Sequence, residues 1–127
     1  MDADKRRLES DEISRKIIGC AYTVSNELGS GFLEKVYENA LAHDLRKVGL
    51  VARQQHSINV VYDGVVVGEY FADILVNDSV IIELKTVKGL DDIHLAQCLN
   101  YLRGTGLNLC LLLNFALICV HLRSSAV

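Results

Sequence analysis

The run Ala72-Asp73-Ile74-Leu75-Val76-Asn77-Asp78-Ser79-Val80-Ile81-Ile82-Glu83-Leu84-Lys85 holds two acids and a lysine at spacings that neighbouring strands can bring together. Glu83 and Lys85 are two apart, so in an extended strand both project from one face, opposite Val80, Ile82 and Leu84. Register decides where Asp73 lies. If Asn77-Asp78-Ser79 forms the loop, Val76 pairs with Val80 and Asp73 faces Glu83, their Cβ atoms roughly 5 Å apart. That register also puts Tyr70, Ala72, Ile74 and Val76 on the side of Val80, Ile82 and Leu84, giving one apolar face and one chemical face. A two-residue turn would pair Asp73 with Ile82 and send it to the other face. Like charges opposite each other destabilise a sheet, a conflict that a divalent cation between them removes. Two carboxylates beside a lysine suit Mg2+, a hard ion that prefers oxygen ligands and keeps several waters, with Mn2+ as a substitute. Such an ion polarises a phosphoryl oxygen and acidifies a bound water, and a fixed ammonium stabilises charge developing in the transition state. The pattern is permissive, and a surface salt bridge between Lys85 and one carboxylate is the plainer reading of the same three residues.

The elements that must position them are legible as changes of period. Residues 10 to 28 have helical spacing, with Ile13, Ile17, Cys20, Ala21, Val24 and Leu28 along one side and Ser10 or Asp11 as N-cap. Gly29-Ser30-Gly31 breaks that helix. A second is expected from Phe32 to Val48, with Leu33, Val36, Tyr37, Ala40, Leu41 and Leu45 as its apolar stripe. From Arg53 the period becomes two, and Asp63-Gly64 is a hairpin signal between strands ending near Tyr62 and running from Val65 to Val76. A third strand spans Val80 to Val87. Helical spacing returns over 91 to 103, and residues 109 to 115 and 116 to 122 read as one or two further strands. The order predicts an α/β or α+β domain, 1–127, with an antiparallel three-strand meander in a mixed sheet flanked by helices.

Composition narrows the setting. The 127 residues are 50% hydrophobic, contain no Pro or Trp, and offer no interdomain linker, so one domain with one core is expected. Thirteen basic and 16 acidic side chains give a formal charge of −3, which is no nucleic-acid signature in itself. Lys5-Arg6-Arg7, Arg15-Lys16 and Arg46-Lys47 are short basic clusters that read as solvated helix surface. Cys20, Cys98, Cys110 and Cys119 form no zinc-like pair and read as buried reduced thiols, which fits a cytoplasmic protein. The start, Met1-Asp2-Ala3-Asp4, lacks the apolar region of a signal peptide. The run from Leu107 to Leu122 is too short and too interrupted for a membrane span.

Gly31-Phe32-Leu33-Glu34-Lys35-Val36-Tyr37 resembles the signature of the GxxExxY family of the PD-(D/E)XK nuclease-like superfamily. The resemblance runs from about Ile13 to Phe115. It takes in Ala72-Asp73, Glu83-Leu84-Lys85, Ala96-Gln97-Cys98-Leu99-Asn100-Tyr101-Leu102 and Leu111-Leu112-Leu113-Asn114-Phe115, in that order. It implies a restriction-endonuclease-like fold and hydrolysis of nucleic acid, here taken as DNA. It also implies that Asp73, Glu83 and the Leu84 carbonyl hold Mg2+, that Lys85 orients water or stabilises charge, and that Glu34 completes an acidic cluster. Gln97 and Tyr101, one helical turn apart, resemble the QxxxY element of exonuclease-like branches. Ala72 replaces the proline of the superfamily motif, Cys110 stands where relatives usually have Gly, and His121 to Val127 match poorly.

Bland alternatives stand beside each assignment. Glu34 at a helix start complements the helix dipole; Tyr37 reads as a core residue with a bonded hydroxyl; Gln97 with Tyr101 would serve as a polar seam. His94, one turn before Gln97, is a candidate phosphate contact, whereas His43, His56 and His121 form no ligand spacing. Two rival readings remain: a non-catalytic nucleic-acid- or protein-binding module on the same fold, and an assembly subunit using the apolar C-terminal segment. So small a domain has little surface for recognition, for which a homodimer or a partner would compensate.

Overall fold

In the computed structural model the backbone is described for residues 3–89, 92–107, 109–116 and 119–124, and side-chain surroundings for 9–89, 92–107 and 109–116. The order is α1 (Ala3–Leu28), α2 (Glu34–Lys47), β1 (Ala52–Tyr62), β2 (Val65–Val76), β3 (Val80–Lys85), α3 (Asp92–Thr105), β4 (Leu109–Asn114) and β5 (Cys119–Ser124). One five-stranded sheet runs β1-β2-β3-β4-β5. The β3–β4 pair is parallel, with α3 as its crossover, and the other neighbours are antiparallel.

Both faces of the sheet are covered, which is why β3 and β4 read as nearly continuous apolar runs. Ile17, Ala21 and Val24 of α1 and Leu41, Ala42 and Leu45 of α2 pack on Ile74, Val76, Val80, Ile82, Leu84, Leu109, Leu111 and Leu113. Cys98 and Leu102 of α3 pack on Ala72, Leu75, Ile81, Cys110 and Leu112. Fully enclosed side chains such as Leu41, Leu45 and Leu111 contribute about 2–3 kcal/mol each.

The linker between α1 and α2 uses Gly29 and Gly31 at positive φ (71° and 104°). Tyr37, only 1% exposed, locks it: its hydroxyl donates to the Gly29 carbonyl at 2.6 Å and accepts from the Phe32 N–H at 3.3 Å. Its ring stacks on Phe115, with centroids 4.8 Å apart. The expected core role of this tyrosine holds. Helix α1 begins well before Ser10 or Asp11, so neither is a cap; no Gly or Pro interrupts residues 3–18. Helix α2 begins at Glu34 rather than Phe32, and Leu33 (79% exposed) and Val36 (38%) lie outside the apolar stripe. Their place on the buried side is taken by Glu38.

The turns follow their chemistry. Asp63 and Gly64 both have positive φ, as a tight two-residue hairpin requires. Asn77 and Asp78, also left-handed, shape the β2–β3 loop, and Val76 pairs with Val80 as the register argument predicts. One part of that argument fails. Tyr70 and Ala72 pack with the α3 face, not with Ile74 and Val76. The alternation reverses around Asp73, opposite Gln55, which sits in mid-strand at φ 51°. The β1–β2 ladder has Gln54↔Ile74 and His56↔Ala72 on either side of this kink, and Ala52 and Ile58 of β1 likewise pack with opposite clusters.

Cys20, Cys98 and Cys110 are buried free thiols, as expected; Cys119 and His121 lie outside the described side chains. No described helix is long and apolar enough to cross a membrane.

Candidate active site

Strands β2 and β3 pair from Val76↔Val80 to Ile74↔Ile82 and then part. At the parting, carboxylates take over the ladder's work. The Leu84 N–H donates to Asp73 Oδ2 at 2.7 Å, and the Asp73 N–H reaches Glu83 Oε1 at 3.4 Å. Each acid therefore accepts from the other's strand, and the two carboxyls are close enough for the charge of Asp73 to act on Glu83. Glu83 is only 8% exposed and Asp73 is half-buried.

Their electrostatics follow from that placement. Burial, followed by the charge of Asp73, pushes Glu83 up to about 8; the Asp73 N–H and the charge of Lys85 act the other way. Burial also raises Asp73, opposed chiefly by the Leu84 N–H, while Glu38 and Glu34 add to the rise. The coupling falls on Glu83 because Asp73 ionises first and then repels the second charge. Lys85 is half-buried and lies in this field, but makes no ion pair with either acid; the described ion pairs are Lys16–Glu12, Lys35–Glu38 and Arg53–Asp78. The plain salt-bridge reading of the triplet is thus not what the fold builds.

Helix α2 faces the site with Glu34 and Glu38. Glu34 Oε1 accepts from the Thr86 N–H at 3.3 Å, so it reaches the end of β3, just past Lys85. Glu38, 3% exposed, accepts from Lys35 Nζ (2.9 Å), Gln54 Nε2 (2.7 Å) and Gln55 Nε2 (2.7 Å). From α3, the Tyr101 ring stacks on Tyr70 with centroids 3.8 Å apart. Burial pushes the Tyr101 phenol up to about 12, with Glu83 as the next cause. The Tyr70 hydroxyl is buried without a hydrogen-bond partner among the described residues, and its ionisation is strongly disfavoured by burial and by Glu83. Gln97 is exposed on α3 and bonds to neither acid; His94 is half-buried in the first turn of the same helix.

A family profile described as the PD-(D/E)XK nuclease superfamily matches residues 11–124. The chain belongs to the PD-(D/E)XK nuclease superfamily. No similar curated protein or solved structure was found. Membership implies a nuclease that handles nucleic acid, and superfamily nucleases generally use divalent metals. In this superfamily member, Ala72-Asp73 and Glu83-Leu84-Lys85 are the strand segments with the acid, acid-x-lysine order, and they meet where β2 and β3 part.

Among the described residues no three His, Cys, Asp or Glu side chains form a ready-made metal cluster. The donor chemistry nevertheless fits a hard cation: two crowded carboxyls, one pushed up to about 8, are paired with no described cationic side chain. A concavity of about 580 Å3 lies away from these residues, lined by Glu9, Glu12, Lys16, Asn77, Asp78 and Gly106.

Sequence reasoning missed Glu38, Gln55 and Tyr70. Glu38 had a signal, standing one helical turn after Glu34. The others depend on the strand kink, which no periodicity reveals. Of the basic clusters, Arg15, Lys16, Arg46 and Lys47 are all exposed, and Arg46 also binds the Ala52 carbonyl at 2.7 Å; Lys5-Arg6-Arg7 lies outside the described side chains.

Proposed function

We propose that this chain is a GxxExxY-type, Mg2+-dependent nuclease that hydrolyses phosphodiester bonds in DNA as one cytoplasmic domain, 1–127. The observation that carries this reading is the reciprocal capture of Asp73 and Glu83 across the parting of β2 and β3, with the Lys85 ammonium left unpaired beside them.

Asp73, Glu83 and the Leu84 carbonyl would hold the ion, which when bound polarises a phosphoryl oxygen and acidifies a water. Asp73 is held in place by the Leu84 N–H, which fixes the direction of its carboxylate. Lys85 presents positive charge toward the transferring phosphoryl group, where it counts most in a site that excludes water. Glu34, which reaches the Thr86 N–H at the end of β3, would complete the acidic cluster around the ion. Gln97, Tyr101 and His94, on the α3 side, contact the substrate backbone. A homodimer would supply recognition surface that so small a domain lacks.

The test is cleavage of plasmid, linear duplex and single-stranded DNA, with RNA in parallel, in Mg2+ or Mn2+. Asp73→Ala, Glu83→Ala and Lys85→Ala are each expected to lose at least about a hundredfold in rate while retaining helical content. Full activity in all three variants refutes the proposal. Calorimetry without heat at millimolar metal favours the binding-module alternative.

A further inference from the structure

The kink in β1 places a glutamine between two acids. Gln55 Nε2 donates to Glu38 Oε1 at 2.7 Å and extends to Asp73 Oδ1 at 3.4 Å. An amide nitrogen carries two hydrogens, and here each has its own carboxylate. Glu38 is itself fixed by Lys35 and by Gln54, whose Nε2 also reaches Asn39 Oδ1 at 2.7 Å. A buried carboxylate with three donors is thus the anchor, and the Gln55 amide is what it holds.

The backbone agrees. A non-glycine residue at φ 51° in the middle of an eleven-residue strand is strained. Such strain persists only where the surroundings over-determine it, and it clusters at functional sites. The kink is also what turns Asp73 out of the regular alternation. Without it Asp73 and Gln55 would be one more ladder pair between Gln54↔Ile74 and His56↔Ala72.

We infer that Gln55, held by Glu38, is a positioning residue: it fixes the Asp73 carboxylate from one side while the Leu84 N–H fixes it from the other. This rests on the reading of Asp73 as a metal-binding residue. The two donors take one oxygen each, Gln55 on Oδ1 and Leu84 on Oδ2, leaving the remaining lone pairs in one orientation. Partners of this kind tune the affinity and direction of the ligands they touch.

Binding of Mn2+ alone, by calorimetry, tests it. Wild type, Gln55→Met (same length, no donor), Gln55→Gly (no donor, strain removed), Glu38→Gln and the Gln55→Met/Glu38→Gln double variant would be compared. Gln55→Met and Gln55→Gly are expected to weaken Mn2+ binding about tenfold or more. Gln55→Gly should do so while melting no lower than wild type, so lost affinity cannot be laid to lost fold. Glu38→Gln should weaken binding, and the double variant should lose no more than Gln55→Met alone, because Glu38 acts through Gln55. Wild-type affinity in both Gln55 variants overturns the inference and leaves the metal site standing. Full additivity in the double variant overturns the Glu38 link. A wild-type protein that binds no Mn2+ sinks the site reading itself and this inference with it.

Discussion

Replacing Glu83 by glutamine should remove a pH dependence from the folding stability of the metal-free protein. The buried Glu83 carboxyl, crowded by Asp73, keeps its proton to about pH 8 against an ordinary 4.5. Asp73 is shifted in the same direction. Both groups bind protons more tightly folded than unfolded. Between about pH 4.5 and 8 the native state therefore holds more protons than the unfolded chain, and stability falls as pH rises through that window. At about 1.4 kcal/mol for each tenfold change in proton affinity, Glu83 sets a ceiling near 5 kcal/mol. Relaxation and water penetration lower it, but even about 2 kcal/mol moves Tm by roughly 8 °C in a domain of this size. The groups around Glu83 are Asp73 and Tyr70 from β2, Lys85 on its own strand, Cys98 and Tyr101 from α3, and Cys110 from β4. The assay is thermal unfolding in chelator at half-unit steps from pH 5 to 8, for wild type and Glu83→Gln. Groups common to both proteins cancel in the difference. The two curves should meet near pH 5 and diverge upward, with the variant the more stable at pH 8. Added Mn2+ should flatten the wild-type curve. Parallel curves across the range would refute the account of a buried, like-charged pair.

Asn114→Ala should cost about 2–3 kcal/mol in urea unfolding, because the side chain serves the Val87 N–H and carbonyl and the Ala116 N–H, holding the chain after β3 to the end of β4. An unchanged midpoint would show that solvent satisfies those groups. Tyr37→Phe keeps the stack on Phe115 but drops the hydroxyl that ties Gly29 to Phe32; a loss of about 1–2 kcal/mol is expected, checked by calorimetric Tm. A variant as stable as wild type would place the linker's order in the glycines alone.

Much of this fold was legible because the strongest signals were periodic. The helical stripe of Ile17, Ala21 and Val24, the Asp63-Gly64 turn and the Val76↔Val80 register all follow from spacing and turn chemistry. Spacing alone also brought Asp73 toward Glu83. What remained hidden is non-periodic. A positive φ at Gln55 obeys no propensity, since glutamine has none for that region, and it reversed the faces assigned to Tyr70 and Ala72. Glu38 escaped because an acid among helix surface positions reads as solvated until three donors are found around it. The superfamily motifs carried Glu34, Gln97 and Tyr101, and of these the fold brings Glu34 to the end of β3 and Tyr101 to the Tyr70 ring, with Gln97 left at the surface.

Past Ile74, β2 pairs with β1 alone, out to a tip where Val61, Tyr62, Val65, Val66 and Val67 are more than half exposed. A two-stranded ribbon is marginally stable by itself in water. Its outer amides should therefore open to solvent in small local fluctuations, while those of the enclosed β4 wait for global unfolding. The boundary between these regimes falls at Asp73 and Gln55. The acids thus stand at the rim of a rigid slab, with a pliable arm beside them that can bend around a bulky polymer without loosening the slab.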